Sequence, residues 1–71
     1  MRGDCISYGV IKTLRDYTEQ REYFESREEA EGVFETCVEE LDPHIYLCVE
    51  LTSMDWYERS GESLDYYEFE A

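Results

Sequence analysis

The segment from Ser26 to Pro43 constrains the fold more than any other part of this chain. Ser26 followed by Glu29 is a capping box, in which the hydroxyl accepts an orphan N–H and the glutamate reaches back. Ala30, Val33, Phe34, Cys37, Val38 and Leu41 then recur at i, i+3, i+4 spacing and form one apolar stripe. Asp42-Pro43 ends the pattern, because proline disfavours a helical residue before it. The spacing predicts a helix over about 27–41. Gly32 inside it is either an interior penalty of about 1 kcal/mol or a point of close packing.

Beyond Pro43 the period changes to two. Ile45, Leu47, Val49 and Leu51 alternate with His44, Tyr46, Cys48, Glu50 and Thr52, which predicts a strand at about 44–52 with the odd positions toward the helix. Residues 53–58 extend this strand or begin a loop, and Ser60-Gly61 reads as a turn. Ser63 to Glu70 reads as a last strand. Its inward parity is open, because Leu64/Tyr66 competes with Tyr67/Phe69.

Before the helix, Ile6, Tyr8, Val10 and Leu14 fit one face of a strand, and Arg21 to Phe24 a second, joined by a turn near Asp16 to Gln20. A helical reading of 10–23 also exists, with Val10, Leu14, Tyr17 and Arg21 near one face. Strands are preferred, since Tyr, Val, Ile and Thr dominate and a helix would run into the cap at Ser26. The expected architecture is a single α+β domain over 1–71, a small antiparallel sheet in ββαββ order with one amphipathic helix on one face.

Charge divides the chain. The net charge of −13 comes from 19 acidic and 6 basic side chains. Residues 1–27 are balanced, and residues 28–71 carry the whole excess with Arg59 as their one cation. Such a chain is not expected to bind nucleic acid directly or to lie on an anionic membrane. No apolar run approaches the roughly 18 residues of a spanning helix. Aromatic content of 15% separates it from disordered acidic tails. Met1-Arg2-Gly3-Asp4-Cys5 has no signal-like apolar segment, so a cytoplasmic location is expected.

Catalytic and metal-binding patterns are lacking. Cys5, Cys37 and Cys48 form an odd set whose spacings, with His44, match no zinc pattern. Reduced thiols are expected, with Cys37 and Cys48 as small core residues. His44 is the only histidine, and there is no glycine-rich phosphate loop or calcium loop. The chain is expected not to be an enzyme and to need no cofactor.

The acidic residues are the candidate site. Glu28, Glu31, Glu35 and Glu39 share a helix face read as opposite the apolar stripe, with no lysine interspersed. Asp55, Glu58, Glu62, Asp65 and Glu68 continue the bias, interleaved with Tyr57 and Tyr66. Eleven aromatics exceed what one helix on one sheet can hide, so some are expected at the surface. Exposed tyrosine beside carboxylates suits Arg and Lys, through cation–π contacts and forked hydrogen bonds.

In size, charge and element order, with the strand-to-helix junction Tyr23-Phe24-Glu25-Ser26-Arg27-Glu28-Glu29-Ala30, the chain resembles small acidic phage-encoded inhibitors. These include anti-CRISPR proteins, restriction inhibitors and the uracil-DNA glycosylase inhibitor, several of them DNA mimics. The resemblance implies a binding protein in the cytoplasm of an infected bacterial host, occupying the basic nucleic-acid-binding site of a CRISPR effector complex. The alternatives are an inhibitor of a restriction or repair enzyme, and an acidic adaptor that forms a homodimer through a sheet edge or exposed aromatics.

Overall fold

The computed structural model describes residues 6–55 and 59–70. Within them the order is β1 (Ile6–Leu14), β2 (Glu19–Phe24), α1 (Arg27–Glu40), β3 (Tyr46–Asp55) and β4 (Ser60–Glu68). The strands form one antiparallel sheet in the order β2-β1-β3-β4. This is the expected ββαββ arrangement, and the strand reading of 10–23 holds. Because β1 opposes both neighbours, β2 and β3 run parallel on either side of it. α1 is the crossover between them.

Ser26 caps α1 as predicted, its Oγ accepting from the Glu29 N–H at 3.4 Å. The helix ends at Glu40 with Leu41 as its C-cap. In the Asp42-Pro43-His44 turn that follows, the Asp42 Oδ1 accepts from the His44 N–H at 2.9 Å. The apolar stripe faces the sheet, with Ala30, Phe34 and Cys37 buried against Val10, Val49, Leu51 and Phe69. Nothing lies within 4 Å of a Cβ built on Gly32, so it is an exposed helix interior and not a packing contact.

Three local expectations change. Ser60 and Gly61 belong to β4 and pair with Asp55 and Met54, so they are not the turn. Ile45 precedes β3 in a turn and is half exposed, and a bulge at Leu47 opposite Thr13/Leu14 packs Tyr46 on the core, so the inward odd positions are Val49 and Leu51. Cys48 pairs with Thr13 and Glu68 on the face away from the helix, half-buried and not in the core.

The open parity of the last strand has a physical resolution. Leu51 pairs with Asp65 but Thr52 pairs with Ser63, so Leu64 is the extra residue of a β-bulge. The bulge lets Leu64 pack on the core while Tyr67 and Phe69 also reach the helix side, their rings edge to face at 5.2 Å. The β1–β2 hairpin closes through a turn in which the Tyr17 N–H donates to the Leu14 carbonyl. Tyr17 there has a φ of 70°, the left-handed position that usually follows such a turn.

Candidate functional site

One helix with its side chains is about 10–12 Å across, and neighbouring strands lie about 4.8 Å apart. α1 therefore cannot cover four strands. It packs on β1 and β3 and reaches β2, which leaves the helix side of β4 uncovered. The result is a trough between α1 and β4. Its upper end is lined by Arg27, Glu31, Leu51 and Leu64, its middle by Phe34, Glu35, Val38, Asp65 and Tyr67. The lower end is lined by Glu39, Glu68, Phe69 and Glu70. The middle encloses about 230 Å³.

The floor is apolar and aromatic and the rims carry carboxylates. Glu31 stands at the edge of the apolar stripe, and Glu35 and Glu39 lie further round on the exposed face opposite it. Steps of four residues at about 100° each advance about 40° around the helix, and the three residues line successive hollows between α1 and β4. The spacing along the helix rim is about 6 Å per step.

Almost every described cation is already engaged. Arg21 pairs with Glu19 at 2.6 Å and Arg27 with Glu31 at 2.9 Å. Lys12, on the helix side of β1 and mostly covered, lies 3.9 Å from Glu22. Arg15 donates from Nε to the Pro43 carbonyl and from Nη2 to the Phe69 carbonyl, both at 2.9 Å. Glu28, Glu35, Glu39, Glu62 and Glu68 have no ion pair among the described residues. Of these, Glu35 and Glu39 line the trough, and the other three lie elsewhere on the surface.

The structure thus brings Glu31, Glu35, Glu39 and Asp65 together with the backbones of Tyr66 and Glu68, whose side chains take the opposite face of the sheet. Glu28 is exposed on the first turn, outside the trough lining. Asp55 lies at the end of β3, paired with Ile6 and Ser60. Glu62 borders a hollow on the opposite sheet face with Ile11, Tyr23 and Met54. Tyr57 and Glu58 lie outside the described residues. The sequence reading missed Phe34 and Val38, assigned wholly to the core, and Tyr67. The bulge at Leu64 is what turns Tyr67 toward the trough.

The face away from α1 has no covering layer among the described residues. The Tyr66 ring lies there opposite Glu50, its hydroxyl bonded toward Cys48. That bond, with partial desolvation and the neighbouring Cys48, Glu68 and Glu50 charges, pushes the Tyr66 pKa up. Burial pushes the Cys37 thiol up as well. Cys37 and Cys48 thus stand on opposite sides of the sheet. Among the described residues no group of three or more His, Cys, Asp or Glu is placed to hold a metal ion. No helix is long and apolar enough to cross a membrane.

No known protein family matches the chain, and no curated protein or solved structure matches it.

Proposed function

We propose that this protein is an inhibitor that occupies a Lys/Arg-lined nucleic-acid groove, with a CRISPR effector complex as the leading target class. The observation that carries this reading is the trough, in which Glu31, Glu35, Glu39 and Asp65 rim an apolar floor that exposes Tyr67. Glu31 to Glu39 spans roughly 12 Å of helix. Four carboxylates line that length and Arg27 neutralises one of them, which leaves about one unpaired charge per 4 Å. Duplex DNA carries one per about 1.7 Å of axis and a single strand one per about 3.4 Å. That density comes closest to a single strand, so it suits a groove built for phosphates, and the exposed Tyr67 suits the arginines that line one.

A fluorescence-anisotropy competition against purified CRISPR effector complexes, with a restriction and a repair enzyme alongside, tests this. The protein is expected to displace labelled DNA, and to lose affinity steeply between about 50 and about 200 mM salt. The pair Glu35→Lys and Glu39→Lys is expected to abolish displacement. Displacement that ignores both salt and this reversal overturns the reading.

A further inference from the structure

We infer that β4 is a docking edge: an extended, Lys/Arg-bearing segment of the partner adds to it as a fifth strand. The inference rests on the reading of a basic partner, and specifies how that partner is held.

β4 is an outer strand with nine residues of backbone. The Phe69 N–H donates inward to the Leu47 carbonyl at 2.9 Å. Antiparallel pairs alternate between bonded and non-bonded, so Tyr67 and Asp65 also point at β3 while Glu68 and Tyr66 turn their N–H and C=O outward. One of these outward donors is already held. The Tyr66 N–H donates to the Asp65 Oδ1 at 2.8 Å, a local carboxylate contact that stands in for a missing strand.

Both faces beside this edge carry the same chemistry. On the helix side, an added strand would meet Asp65, Tyr67 and the Glu35–Glu39 rim. On the other side it would meet Tyr66, Glu68 and Glu50. Whichever way its side chains alternate, each face offers carboxylates and a tyrosine to an arginine or lysine. Main-chain bonds give such strand addition its affinity and the flanking side chains its selectivity.

A second copy of this chain is the competing occupant, and charge opposes it. Edge-to-edge pairing would gather Glu62, Asp65 and Glu68 from each copy in one short ladder, and like charges across a ladder destabilise it. The same three residues favour a basic segment.

The test uses the full chain at low salt, with a synthetic peptide alternating arginine and valine as probe. Its controls alternate arginine with proline, or glutamate with valine. The arginine–valine peptide is expected to bind and to slow hydrogen exchange at the Tyr66 and Glu68 amides. The arginine–proline peptide has equal charge but no ladder donors, and is expected to bind at least about tenfold more weakly. The glutamate peptide is expected not to bind. Equal binding of the two arginine peptides, or unchanged exchange at Tyr66 and Glu68, overturns the inference and leaves the reading of an acidic groove-binder standing. A dimer in sedimentation that already protects those amides without peptide overturns it in favour of the second copy.

Discussion

The ring of Tyr23 on β2 lies against the backbone of its cross-strand partner Gly9, so that a Cβ at Gly9 would sit 3.1 Å from the ring. The same Cβ would lie 3.1 Å from the Thr52 Oγ1 on the other neighbouring strand. An aromatic ring covering a strand glycine restores the packing that the missing side chain gives up. Gly9→Val forces a branched side chain between a movable ring and a stiff threonine. It is expected to lower stability by about 1–3 kcal/mol. In a Tyr23→Ala background the same substitution is expected to cost less, with a coupling of at least about 0.5 kcal/mol. Urea denaturation of the four proteins measures it, and strict additivity would contradict the contact.

Gly32→Ala is expected to stabilise the chain. The position lies in the helix interior with open space where a methyl would go. Alanine recovers about 1 kcal/mol of helix propensity there. For a domain of this size that corresponds to a rise of about 4–8 °C in Tm. A lower Tm would show that the site is crowded after all.

How much of this was legible in the sequence depends on whether local chemistry decided the outcome. The α1 boundaries followed from Ser26, Glu29 and Pro43, whose effects act within one turn of chain. The inward positions of β3 followed from alternation through Val49 and Leu51. What the sequence could not carry was the pairing between distant segments. The place of β1 between β2 and β3 rests on contacts far apart in the chain. So does the bulge opposite Leu51, which let two competing parities of β4 both hold. The trough was legible only as a list of glutamates. Its geometry depends on α1 lying over β1 and β3 and leaving β4 bare, which no local pattern encodes.

Arg15 is expected to matter for stability and not for partner binding. Its guanidinium ties the β1–β2 turn to the Pro43 carbonyl and to the Phe69 carbonyl beyond β4. A planar fork can serve two acceptors at once, whereas the lysine ammonium is a point charge. Arg15→Lys is expected to cost about 1–2 kcal/mol, in the range for hydrogen bonds from a charged group. Hydrogen exchange at the Phe69 amide, which donates to the Leu47 carbonyl, should quicken alongside the global loss. Unchanged denaturation would mean that neither carbonyl depends on the arginine.

Acid should destabilise the chain through its turns. Asp42 is held below the ordinary aspartate range, first by the His44 backbone N–H and then by the His44 ring. Asp16 is held low in the same way by the Thr18 N–H, which its Oδ1 accepts at 3.0 Å. A carboxylate depressed in the folded state contributes stability above its unfolded value, near pH 3.9, and loses it as pH falls through its lower folded value. These two turns are therefore expected to hold from neutrality to about pH 5 and to weaken below about pH 4. Both groups are exposed, so the effect is small. In Asp42→Ala and Asp16→Ala the acid-side fall in Tm should be shallower than in the parent chain, and Tm at pH 7 somewhat lower. Melting curves collected by circular dichroism from pH 7 to pH 2.5 decide it. A fall in Tm as steep in both variants as in the parent would place the acid sensitivity elsewhere.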